Sequence, residues 1–460
     1  MAYIEYMKYI KYYLLVLMLL GAPLLMAQPK PETLYTSPLL LENVSQAMLR
    51  PGYWISRHPS PDVIIMNDKE IESFNASIRK RRGSVSHLPS LAGNISGNTI
   101  RNGINQGLNL LKSMRLYDEK GERVPSSFWN SIQANCNLKA IPGTIKIRYA
   151  LPLAFADQRI APTEVQLNKK VLDYEFDELQ NSGFDIGTPL LIYHNSADGK
   201  WAYGSSAITS GWFRLSDLVF LDVQSWKDYQ QTQDFVVITA AQADLWKDAS
   251  RTNYAGAARM GSRFPLLDEE EDRYIISLPV RDDEGQRLAS GYILKQDAHP
   301  KYLPYTARNV YELAFRMLNM PYGWADTNGN TDCSSYLRQL FSCFGIILPR
   351  NSAEQEKSGK IAHSFTDKES ANTRNETLIK KGKPALTLLR RPGHITLYLG
   401  SVDGRAYIIH NTWAERVKDT NSSNKIQVIN RVVVSDVFIG NKSLQGPMIK
   451  HFTSISLLEL

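Results

Sequence analysis

The run Thr331-Asp332-Cys333-Ser334-Ser335 stands at the start of an apolar helix, and a strand opening with His394 follows about sixty residues later. A thiolate is the nucleophile of cysteine chemistry, and a cysteine at a helix N-terminus sits beside unpaired N–H groups that favour the anion. A nearby imidazole completes the activation and returns a proton to the leaving group. Leu337, Leu340, Phe341 and Phe344 share one helix face, and Cys333 points to the same side. The thiol is therefore expected to face the protein body, where a strand brings up a base.

Upstream, Val310, Leu313, Ala314, Met317 and Leu318 follow the spacing of a buried helix face, and Pro321 ends that helix. Downstream, Ile395 to Leu399, Tyr407 to Ile409 and Val432 to Val434 read as strands. Helices first and a sheet afterwards make an α+β domain, placed at residues 301–460. His394, Thr396 and Tyr398 share one face of their strand, and the next strand carries His410. A strict two-residue turn at Asp403-Gly404 would set His410 opposite Leu397, on the wrong face. A three-residue loop of Val402, Asp403 and Gly404, with Gly404 left-handed, shifts the register by one. His410 then lies opposite Thr396, where it can orient the His394 ring.

The remaining chain divides by composition. Residues 1–27 carry Lys8 and Lys11 ahead of an apolar run from Tyr12 to Leu20, the pattern of an export signal ending near Ala27. Residues 28–165 are polar to mixed, with a Gly/Ser/Asn-rich stretch from Gly93 to Gly107. Within 166–228 come short strand-like runs at Pro189–His194, Trp201–Tyr203 and Gly211–Leu215, divided by turn signals at Asp198-Gly199 and Ser210-Gly211. Residues 233–300 repeat the theme with Phe235–Thr239, Tyr274–Val280 and Ala289–Leu294. Two small β-barrels, SH3-like in size, are expected there. Trp201, Tyr203 and Trp212 are candidate walls of a neighbouring cleft or members of a barrel core.

Removing residues 1–27 leaves 51 basic and 45 acidic side chains, an excess of 6. So mild an excess, without an Arg/Lys stripe interleaved with aromatics, excludes nucleic acid as an expected partner. Cys136, Cys333 and Cys343 are the only cysteines, too few for a disulfide framework and odd in number, so at least one free thiol is expected. No CxxC pair or histidine cluster has metal-ligand spacing, so neither a metal nor a cofactor is expected. Core packing is the default for Cys343, and Cys136 has no partner pattern.

The last 160 residues resemble the NlpC-type family of papain-like cell-wall peptidases. The resemblance rests on Pro321-Tyr322-Gly323-Trp324, Thr331 to Ser335, Leu348-Pro-Arg-Asn-Ser-Ala-Glu-Gln355, Gly393 to Gly400 and Ile408-Ile409-His410. It departs at Ser335, where many members have glycine, and at Thr396, where His-Val-Gly is usual. An N-terminal stabilising region followed by two SH3-like domains also resembles one branch of the family.

The resemblance implies that Cys333 attacks, His394 is the base and His410 orients it. It further implies hydrolysis of the γ-D-glutamyl–diamino-acid bond in peptidoglycan stem peptides. In relatives specialised for a free N-terminal L-Ala, Asp332 and Ser334 would contact the ammonium, with Trp324 and Ser352 shaping the pocket. A helix cap is the other role open to Asp332. Tyr322 would assist the oxyanion or pack. The first SH3-like domain is expected to wrap one end of the cleft. The expected location is the periplasm or cell envelope, with no stable membrane insertion after the signal is removed. Two alternatives remain open at this point: a non-catalytic peptidoglycan-binding protein, or an amidase or acyl-transfer enzyme on the same fold.

Overall fold

Alternating apolar strands dominate the computed structural model, which describes residues 33–34, 40–81, 85–88, 93–283, 285–418 and 424–460. The expected export segment lies outside these residues. Among them are three seven-stranded sheets, two built in the middle of the chain and one at its C-terminal end.

The C-terminal sheet runs in the order Thr33–Leu34, Asn424–Asp436, Arg405–Lys418, His394–Val402, Thr387–Arg391, Ser454–Leu457, Lys360–Ser364. All neighbours are antiparallel except the two N-terminal residues, which pair in parallel with Ile426 and Gln427. The helix Cys333–Ser342 lies against the strands that begin at His394 and Arg405. Leu337, Leu340 and Phe341 of that helix are fully buried, so its apolar face is the one turned to the sheet and to the helix Ala307–Arg316. The fold is α+β, as the order of the motifs predicts.

The hairpin between the two histidine strands differs from the expected loop. Val402 pairs with Arg405, so the turn is the strict two-residue Asp403-Gly404, with φ of 50° and 73°. The register shift comes instead from a bulge at Leu399, between the pairs Tyr398–Ile408 and Gly400–Tyr407. Tyr311 Oη donates to the Leu399 carbonyl at 2.7 Å, and Gly400 takes φ 133°, which a side chain would resist. The pair Leu397–Ile409 that follows puts His410 on the His394 face.

The first barrel sheet takes strands from Arg148–Pro152, Ala156–Arg159, Gln180–Phe184, Leu190–Asn195, Trp201–Ser205, Ser210–Arg214 and Leu218–Leu221. It therefore begins before residue 166, because Tyr149 to Pro152 pair with Leu218 to Leu221. Ser210-Gly211 is not a turn. Gly211 pairs with Gly204 inside the ladder, and a Cβ there would lie 2.7 Å from the Arg159 carbonyl, so the glycine serves close strand approach. Trp201, Tyr203 and Trp212 are buried in the barrel core and form no part of the cleft wall. The second sheet spans Phe235 to Pro300.

The N-terminal region splits between two cores. Leu41, Met48, Trp54, Phe74 and Ile78 pack with the C-terminal domain, whereas Ile100, Ile104, Leu108, Leu111 and Cys136 pack with the first barrel. Where this barrel meets the C-terminal domain, a Cβ on Gly183 would come within 2.1 Å of Phe155 Cζ and 2.9 Å of Asp326 Cβ. Gly183→Ala is expected to cost about 1–3 kcal/mol in equilibrium unfolding. An unchanged unfolding curve would show that this contact yields freely.

Candidate active site

Asp332 makes Cys333 the first residue of its helix. Its Oδ1 accepts from the N–H groups of Ser334 and Ser335 at 2.9 and 2.8 Å, a cap that stabilises such a helix by about 1 kcal/mol. The same oxygen accepts the Ser334 hydroxyl at 2.8 Å. Asp332 Oδ2 accepts from Arg350 at 2.8 Å, and Arg350 also donates to Ser334 Oγ at 3.0 Å and to Ser182 Oγ of the first barrel at 2.8 Å. Burial opposes the charge on Arg350, but Asp332 and Asp326 hold it firmly protonated.

Cys333 is buried to 6% exposure and borders an open cleft of about 1050 Å³. Burial and the Asp332 carboxylate push its thiol up to about 12, against the opposing pull of the Ile395 N–H, Arg350 and the Ser334 N–H. The contact with Ile395 places the sulfur at the start of the histidine strand. His394 Nε2 and His410 Nδ1 are 2.8 Å apart, and His410 Nε2 lies 3.1 Å from Ser435 Oγ. Burial, then His410, then Arg391 hold His394 well below its ordinary value. Burial and Arg391 bring His410 down to about 3. Both rings are neutral near pH 7, and the thiol rests protonated. In one consistent set of tautomers each ring donates from Nε2 toward Ser435, leaving His394 Nδ1 able to accept a proton.

The cleft gathers every residue singled out around the cysteine. Tyr322, Trp324, Asp332, Ser334 and Ser352 line it with Cys333, whereas His394 and His410, hydrogen-bonded to each other, are not among its lining residues. Trp324 donates its indole N–H to the Asp177 carbonyl of the first barrel at 3.1 Å and meets Phe176 edge-on at 5.3 Å between ring centroids. Gln180, Asn181, Ile208 and Thr209 form the wall contributed by that barrel. Arg350 was not among the residues picked from the sequence. It stands inside the Leu348 to Gln355 motif, but nothing in that run reveals that its partners are Asp332, 18 residues upstream, and Ser182. Ser435 was missed for the same reason. All three cysteines are free, and Cys343 donates to the Ile238 carbonyl at 3.3 Å.

A cysteine heading a helix that packs on a strand histidine, itself bonded to a second polar ring, is the arrangement of the papain-like Cys–His fold. Residues 319–436 match the model of the NlpC/P60 family, and residues 167–214 match an SH3 domain of the SH3b1 type. The C-terminal domain is thus an NlpC/P60 peptidase-family domain preceded by an SH3-like domain. A gamma-D-glutamyl-L-lysine dipeptidyl-peptidase of Bacillus cereus is 27% identical over 210 residues, which are 45% of this chain and 57% of that protein. The match thus spans little more than half of that relative. The structure of an NlpC/P60 endopeptidase from Photobacterium damselae subsp. piscicida has a TM-score of 0.70 and 23% identity, covering 93% of this chain and 97% of its own, and shares the fold.

Because the His410 pKa falls from 6.5 in the unfolded chain to about 3 in the folded one, the unfolded state takes up the proton first as the pH drops. Stability is complete above about pH 6.5 and is lost as the pH falls toward 3. Between about pH 6.5 and 4.5 the wild type should lose roughly 2 kcal/mol more than His410→Gln. Parallel losses in urea titrations of the two proteins would contradict a neutral buried His410.

Proposed function

We propose that this chain is an exported cysteine endopeptidase acting on peptidoglycan stem peptides, with the γ-D-glutamyl–diamino-acid bond of peptides bearing a free N-terminal L-Ala as its target. The observation that carries this reading is Cys333 at the cleft floor, against the strand of a His394 that is hydrogen-bonded to His410. The substrate class is supported by the named activity of the Bacillus cereus relative.

In this mechanism His394 takes the thiol proton as the sulfur attacks the γ-carbonyl carbon. The Cys333 N–H, at the positive end of its helix, faces the developing oxyanion, with the Tyr322 hydroxyl on the same cleft wall. His394 then gives its proton to the departing amine of the diamino acid, leaving a thioester on Cys333. Water, deprotonated by His394, releases the dipeptide and restores the thiol. His410, backed by Ser435, keeps the His394 ring in place throughout.

Asp332 serves as cap and as amine anchor together. Its Oδ1 is filled by three donors, but among the described residues Oδ2 receives only Arg350 and keeps a lone pair for a substrate ammonium. A barrel wall at one end of the cleft favours short peptides over cross-linked strands, which suits trimming of released muropeptides in the periplasm or envelope.

Purified protein should cleave L-Ala-γ-D-Glu-diaminopimelate, with Cys333→Ala reducing turnover at least about 10³-fold. The N-acetylated peptide should be cut at least about tenfold less efficiently if the ammonium reaches Asp332. Equal cleavage of both peptides would remove the amine anchor and leave the peptidase. Binding of peptidoglycan without any cleavage would replace the peptidase with a wall-binding protein.

A further inference from the structure

The hairpin Thr387–Arg391 to His394–Val402 closes on Pro392-Gly393, and its last pair sets Arg391 directly opposite His394. Cross-strand partners project on the same side of a sheet, so the Arg391 side chain shares the face that carries His394. It is half-buried there, and its Nε has no hydrogen-bond partner. Its charge is felt by Cys333, His394 and His410 alike. Its charged neighbours in that setting include a second guanidinium, Arg416, rather than a carboxylate.

Three other guanidiniums of the structure are answered within the chain. Arg390, on the opposite face of the same strand, meets Glu356 at 3.3 Å. Arg350 meets Asp332, and Arg259 meets Asp185 at 3.0 Å. Among the described residues Arg391 has no such ion pair. An unpaired guanidinium drawn partly out of water is costly to keep, and the missing counterpart is an anion. The guanidinium fork matches a carboxylate in shape and charge.

We propose that Arg391 is a specificity residue that binds the substrate carboxylate nearest the scissile bond, beside the Cys333–His394 pair. The inference rests on the peptidase reading above for the identity of that carboxylate. In a γ-linked glutamyl peptide two groups qualify: the free α-carboxylate of the D-Glu residue and the carboxylate of the diamino acid. Both present the same chemistry to Arg391.

Two readouts on the full chain test this. The first needs no peptide: the rate of Cys333 alkylation by anionic iodoacetate is divided by the rate with neutral iodoacetamide. This ratio is expected to fall several-fold in Arg391→Gln and to recover in Arg391→Lys. The second compares L-Ala-γ-D-Glu-diaminopimelate with two versions, one amidated at the D-Glu α-carboxylate and one at the diamino acid. Wild-type kcat/KM should fall roughly 10- to 100-fold for one amidated peptide only, which identifies the bound group, and Arg391→Gln should abolish that discrimination. The wild-type comparison stands even if the Gln variant folds poorly. An unchanged alkylation ratio together with equal losses on acid and amide peptides would overturn the proposal. An alkylation ratio that depends on Arg391 in a protein that cuts no peptide would support the anion site and defeat the peptidase reading.

Discussion

The architecture depends on one carboxylate taken wholly out of water. Asp326 has no exposed surface, and three guanidiniums surround it: Arg259 at 3.6 Å, Arg350 at 3.6 Å and Arg338 at 3.7 Å. The Ser182 hydroxyl and Gly183 N–H donate to it at 3.0 and 3.2 Å. Burial alone would raise its pKa, but the arginines hold it below the usual carboxylate range. Arg259 comes from the second barrel, Ser182 and Gly183 from the first, and Arg338 and Arg350 from the C-terminal domain. Removing one member of such a cluster leaves buried charge uncompensated, a loss of about 3–5 kcal/mol. The network is therefore the joint of the molecule. The loop that holds Asp326 bears its marks, with Ala325, Asp326 and Asn328 all at positive φ. Left-handed residues other than glycine persist where surrounding contacts over-determine them.

Through Arg350 that joint reaches the head of the Cys333 helix. One guanidinium touches the barrel at Ser182, the helix at Ser334 and the cap at Asp332. The cap in turn holds the N–H groups of Ser334 and Ser335, the residues that follow Cys333. Docking of the first barrel and the geometry of the thiol are thus parts of one hydrogen-bonded unit, and the barrel does more than narrow the entrance.

Motifs with a local cause were legible in the sequence. The two helices declared themselves by apolar spacing, and Cys333 by its place at the head of one of them with the His394 strand to follow. The same-face placement of His394 and His410 followed from counting residues through a hairpin, yet the count reached it by the wrong device. A three-residue loop and a one-residue bulge shift a register equally, and the sequence around Gly404 does not show that Tyr311 holds the Leu399 carbonyl from a different element. Gly211 misled in the same way, because its need is the nearness of a neighbouring strand rather than a turn. Arg350 and Asp326 were illegible for a related reason: a buried ion network is a property of three segments meeting. The cap reading of Asp332 is visible in its Oδ1, while the amine-anchor reading belongs to the proposed function and would use Oδ2.

Acidity alone does not set one of the three cysteines apart. Burial pushes the thiols of Cys136, Cys333 and Cys343 up to about 12 alike. Cys136 packs among apolar side chains of the first barrel's core. Cys343 spends its hydrogen on the Ile238 carbonyl, an interaction that favours the neutral thiol. Cys333 and Cys343 each face a backbone donor, the Ile395 and Gly261 N–H groups, but of the three only Cys333 borders the cleft. A resting thiol beside a neutral imidazole is protected from adventitious oxidation, since the thiolate is the reactive species. Under the proposed function its activation would draw on charge brought into the cleft: a substrate ammonium at Asp332 would offset the carboxylate that disfavours the thiolate. On this reading, amine recognition and nucleophile activation are one electrostatic event, with Asp332 as the group that links them.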